Sequence, residues 1–88
     1  MVELASNILA AADSGLGIMG AGIGCGMVII GAAVGIGMIG AWSANAIARQ
    51  PEAGGRIFSG MIIAAALVEG VTFFALLICF LTVFWLRG

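Results

Sequence analysis

Ala48-Arg49-Gln50-Pro51-Glu52-Ala53-Gly54-Gly55-Arg56 is the one interior stretch of this chain in which charges cluster, and its position decides the fold. On its N-terminal side, residues 14–48 form a run of 35 without a formal charge; on its C-terminal side, residues 57–86 form a run of 30 with a single charge, at Glu69. Each run exceeds the roughly 20 residues that a helix needs to cross a bilayer core. Two lone strands would leave their edges unpaired in hydrocarbon, so a β solution is excluded. The reading is an all-α membrane protein made of one domain over residues 1–88. It is a two-transmembrane-helix hairpin with helix 1 over 14–48, a polar loop over 49–56 and helix 2 over 57–86. Asp13-Ser14 reads as the N-cap of the first helix, and Gln50-Pro51 ends it, because proline disfavours helical geometry in the residue before it. At 1.5 Å per residue the two runs make rods of roughly 50 and 45 Å, longer than a hydrocarbon core of about 30 Å, so both ends protrude or tilt.

The composition agrees. Of 88 residues, 64% are hydrophobic and only 8% charged, with a mean hydropathy of +1.31. That leaves too little polar surface to enclose a soluble core. Three arginines against four acidic residues give a net charge of −1 and no basic footprint for nucleic acid. With two cysteines and no histidine, neither a Cys/His metal cluster nor a Ser-His or Cys-His nucleophile pair can be built. The chain therefore reads as non-catalytic alone, with no metal and no cofactor. Ala5 to Ala12 is apolar, but Glu3 stands where a secretion signal would be basic, so the segment is read as retained. Two of the three arginines lie in the central loop, which places the loop in the cytoplasm and both termini outside. The lack of a transit peptide favours a bacterial plasma membrane over an organellar one. For Trp42 and Trp85, interfacial anchoring and ordinary packing are equally good readings.

Eleven of the fifteen glycines fall between positions 15 and 54. In Gly31-Ala32-Ala33-Val34-Gly35-Ile36-Gly37, Gly31 and Gly35 share one helix face while Ala33 and Gly37 lie almost opposite. Two opposed small faces suit a helix wedged between identical neighbours, the geometry of a closed ring. Gly15-Leu16-Gly17-Ile18-Met19-Gly20 and Gly35-Ile36-Gly37-Met38-Ile39-Gly40 match the dinucleotide fingerprint GxGxxG only formally, since neither follows a strand. In the second run, small residues from Gly60 to Gly70 give way to bulky ones, including Phe73, Phe74, Phe80 and Phe84, suited to facing lipid. Cys25 and Cys79 lie at similar distances from Pro51 and are able to meet; inert apolar packing is the preferred reading.

Glu69 is the expensive residue. It lies 13 positions beyond Arg56, about 20 Å along a helix and so near the middle of the membrane. A carboxylate there costs several kcal/mol, and the usual escape is to bind a proton. Thr72, at i+3, is the only nearby side-chain hydroxyl on its face, and the matching depth of the first run, Ala33 to Gly37, carries no polar side chain. Such a site is poor in oxygen ligands for sodium and sufficient for a proton, so H⁺ is the favoured ion and Glu69 a reversibly protonated site.

A glycine-rich first run, the loop Ala48-Arg49-Gln50-Pro51-Glu52 and a lone carboxyl 17 residues after Glu52 closely resemble the c subunit, or proteolipid, of rotary F-type ATP synthases, over about residues 15–85. The resemblance implies a homo-oligomeric ring with first helices inside, packed through Gly31, Ala33, Gly35 and Gly37. It implies Glu69 as the ion carrier and Arg49, Gln50 and Pro51 as the loop that contacts the central stalk. The implied partners are identical c subunits, the a subunit of the Fo sector, the gamma and epsilon subunits of the stalk, and membrane lipids. Sodium-carrying members have a Gln and a Ser at the positions held here by Ile36 and Gly70, so the resemblance too favours protons. Ala33 departs from the glycine common in that motif, which leaves ring size open. The alternatives are a sodium-carrying ring of the same type, or a small pore-forming or structural membrane hairpin.

Overall fold

The computed structural model describes residues 1–87; residue 88 of the expected hairpin lies outside them. Helix α1 spans Val2–Arg49, a single 3-10 turn spans Pro51–Ala53, and helix α2 spans Gly54–Arg87. The two helices lie side by side as a hairpin 75 Å long and 16 Å across. Its length is that of α1, whose 48 residues rise about 72 Å.

Two boundaries differ from the sequence expectation. Asp13-Ser14 is not an N-cap, because α1 continues through it to Val2. No glycine or proline occurs before Gly15, and Leu4, Ala5, Leu9, Ala10, Ala11 and Ala12 are strong helix formers, so nothing stops the helix there. Ser14 is half-buried on the face toward α2. The polar loop expected over 49–56 is also much shorter. Arg49 ends α1, where its charge suits the helix C-terminus, and Gly54, Gly55 and Arg56 already belong to α2.

The reversal is concentrated at Gln50, whose φ of −132° and ψ of 71° lie outside the helical region, which a following proline disfavours. The Gln50 N–H still donates to the Ala46 carbonyl at 2.9 Å, and the Gln50 carbonyl accepts from the Ala53 N–H at 3.0 Å. Pro51 brings no N–H of its own and sits at the first position of the 3-10 turn, where none is needed. Gly54 then passes close to α1: a Cβ there would come within 3.5 Å of Ile47 Cγ2.

The seam between the helices is built from small residues. On α1 the half-buried positions include Ser14, Gly17, Ala21, Gly24, Val28, Ala32 and Gly35, and on α2 Ala64, Ala65, Val68, Thr72, Ala75 and Cys79. Gly17 packs so tightly on the Leu86 side chain that a Cβ would displace it; a Cβ on Gly24 would lie 3.7 Å from Cys79 Sγ, and one on Gly35 4.0 Å from Val68 Cγ1. These three pairs fix one register along the hairpin, and by it the part of α1 before Ser14 runs on beyond the described end of α2. No described residue is fully buried. Bulky side chains face outward instead, with Leu67 at 68%, Phe73 at 73% and Phe84 at 70% exposure, as suits helices that exchange water for lipid or for neighbouring chains.

The seam and the outer faces respond differently to bulk. Gly35→Leu forces a branched side chain against Val68 and is expected to weaken the hairpin by about 1–3 kcal/mol, measured by titrating the monomeric chain from mild detergent into dodecyl sulfate. Gly37→Leu, at a position with open space around it, meets no such clash and is expected not to weaken the hairpin.

Candidate ion site at Glu69

Glu69 stands midway along α2, 16 residues from the end of the 3-10 turn and 18 from Arg87, so about 25 Å of helix separates it from either end. It is exposed on the outer side of the hairpin. It lines an open cleft of about 250 Å³ with Ala32 and Ile36 of α1 and with Thr72, Phe73 and Leu76 of α2. Apart from Glu69 itself, the side-chain lining holds one polar atom, the Thr72 hydroxyl. That hydroxyl donates to the Val68 carbonyl one turn back at 2.6 Å. Its proton is thereby committed, and what it presents to the cleft is an acceptor oxygen.

The structure brings Glu69 and Thr72 together and adds Ile36, one of the two positions singled out for lacking a sodium ligand. The other, Gly70, follows Glu69 on the outer face and contributes no side chain. Among the described residues, no group of three His, Cys, Asp or Glu side chains converges to hold a metal ion.

The remaining candidate residues divide by location. Arg49, Gln50 and Pro51 form the tip of the hairpin, and Arg49 lines a shallow polar depression there with Trp42, Asn45 and Ala46. Of the four small residues assigned to ring packing, Gly35 is on the seam with α2. Gly31 edges the groove beside Val28, Leu67 and Val71, and Ala33 and Gly37 face away from α2. Sequence reasoning missed the seam itself. The signal was present as small residues three and four apart at Ser14, Gly17, Ala21 and Gly24, continuing through Val28, Ala32 and Gly35.

Fold and site together define a small membrane proteolipid, two helices long and apolar enough to span a bilayer, with one carboxyl halfway along the second. Residues 19–82 match the family of the ATP synthase C subunit. The chain is 53% identical over 81 residues to the ATP synthase c subunit of Phocaeicola vulgatus, covering 92% of this chain and 96% of that one. It is 57% identical over 83 residues to that of Bacteroides fragilis, covering 92% and 98%, and 39% identical over 70 residues to that of Dehalococcoides mccartyi, covering 80% and 78%. The chain belongs to the ATP synthase c-subunit family.

Because the Val68 carbonyl also serves the α-helical backbone, losing the Thr72 hydroxyl leaves no orphaned group. Thr72→Val is therefore expected to change stability by less than about 1 kcal/mol. It should leave helicity by circular dichroism unaltered, and the reactivity of Glu69 toward a hydrophobic carbodiimide should survive.

Proposed function

We propose that this chain is a rotor-ring subunit of the membrane sector of an F-type ATP synthase, carrying a proton on Glu69 and coupling its passage to rotation. The observation that carries the reading is the cleft itself, where a lone carboxyl lies among Ala32, Ile36, Phe73 and Leu76 with one acceptor oxygen beside it. A sodium ion needs several oxygen ligands, and these walls offer almost none. A proton needs one, and the neutral acid it makes is the form that hydrocarbon tolerates.

The cycle follows from the exposure of the site. While the outer face of Glu69 meets lipid, the protonated acid is favoured. When a cationic group of the a subunit lies alongside, the carboxylate is favoured and the proton leaves. A proton crossing the membrane potential gains about 2.3 kcal/mol per 100 mV, so several carriers act in series for each nucleotide made, and a ring of identical hairpins supplies them. In such a ring, Gly37 and the open positions Gly20, Gly22 and Gly26, where an added Cβ would meet nothing in the hairpin, give neighbouring first helices room to approach. The tip of Arg49, Gln50 and Pro51 would face the gamma and epsilon subunits on the cytoplasmic side of a bacterial plasma membrane, with both termini outside. The hairpin performs no bond chemistry of its own.

The test is labelling of the detergent-solubilised oligomer with a hydrophobic carbodiimide, which requires a protonated acid in apolar surroundings, across pH and with or without sodium, read by intact mass. One label per chain on Glu69, persisting at neutral pH and indifferent to sodium, is expected; Glu69→Gln abolishes it together with proton-driven ATP synthesis. Suppression by sodium would replace the proton with sodium as the carried ion. Absence of labelling at every pH, or proton-driven synthesis in an assembled Glu69→Gln complex, would sink the rotor-carrier reading.

A further inference from the structure

The two cysteines have no part in the ion site, and the fold sets them opposite one another. Cys25 and Cys79 are free and half-buried, at facing positions on the seam between α1 and α2. A Cβ on the neighbouring Gly24 would come within 3.7 Å of Cys79 Sγ, so that sulfur lies against the α1 backbone and not out in lipid. The flanking pairs Gly17 with Leu86 and Gly35 with Val68 share this register, which makes the two cysteines level residues on packed helices. They stand on the far side of Glu69 from the connection, ten residues further along α2 or about 15 Å.

We propose that Cys25 and Cys79 form a thiol–disulfide exchange site that takes a lipid-soluble disulfide as co-reactant and closes into an intrachain disulfide stapling α1 to α2. In the first step one cysteine, as thiolate, attacks a sulfur of the reagent. The reagent S–S bond breaks, a mixed disulfide forms on the chain, and half of the reagent leaves and takes up the proton as a thiol. In the second step the other cysteine attacks the protein sulfur of that mixed disulfide, the Cys25–Cys79 bond forms, and the second half leaves as a thiol. The chain gives up two electrons and two protons; the reagent disulfide is reduced to two thiols. The second step outruns capture of another reagent molecule because its partner is already held in place by the seam.

The experiment treats the full-length chain in its native membrane with dithiodipyridine, quenches with N-ethylmaleimide under denaturing conditions, and reads intact mass without reduction. The expected product is a chain lighter by two hydrogen atoms, free of pyridyl and maleimide adducts, with two thiopyridones released per reagent consumed. Cys25→Ser and Cys79→Ser should each instead keep one stable pyridyl adduct, which shows that the reagent reaches each thiol alone. A wild-type chain carrying two pyridyl adducts, a chain crosslinked to a second chain, or one whose thiols both remain open to maleimide would each overturn the proposal.

Discussion

Hydrocarbon offers no partner for a backbone N–H or C=O, and this constraint governs every element of the molecule. It explains why α1 and α2 run almost without interruption and why the chain reverses at one place only. Pro51 does the breaking, since its ring forbids the helical conformation at Gln50. Yet the break leaves little unpaired, because the Gln50 N–H and carbonyl are both used and a single 3-10 turn leads straight into α2. A longer loop would have exposed more backbone for no gain in reach. The charges of Arg49, Glu52 and Arg56 gather around the same point, where the helices end and water begins.

The small residues serve two purposes that composition alone does not separate. Gly17, Gly24 and Gly35 lie against α2 and let the helices approach closely enough for Leu86, Cys79 and Val68 to pack over α1 backbone. Gly20, Gly22, Gly26, Gly31 and Gly37 meet nothing within the hairpin. A helix that lacks side chains on faces its own hairpin does not cover loses intrinsic stability at each glycine, and in the proposed ring close packing against neighbouring chains would offset that loss.

The hairpin was legible in the sequence because two long uncharged runs with Pro51 between them allow little else. The start of α1 was not, since Asp13-Ser14 has the chemistry of a cap but lies within a stretch rich in alanine and leucine, where helix propensity overrides it. The candidate site was legible through Glu69, the one residue in its run that hydrocarbon penalises, and through Thr72 at the helical spacing that sets it alongside. The donor state of Thr72 was not legible, because it depends on whether the hydroxyl turns back to its own helix or toward the acid, and only the side-chain geometry decides that. The seam was hidden for a different reason: glycine is so frequent in α1 that one spacing among several had no contrast until α2 selected it.

The open side of Glu69 bears on how such a site works. A carboxyl enclosed between α1 and α2 would be shielded from partners and would exchange its proton slowly, while one projecting fully outward would have nothing to order it. Here Ala32 and Ile36 close the cleft from one side, Thr72 supplies an acceptor, and the remaining wall is missing from the hairpin. Under the proposed function, whatever lies alongside would complete the site, and its polarity would decide which form of the acid is stable. Lipid or an apolar neighbour favours the neutral form, and a cation favours the charged one. The hairpin thus holds the carboxyl in a fixed frame with one side open, an arrangement suited to the proposed role of a carrier that must hold its ion in one place and release it in another.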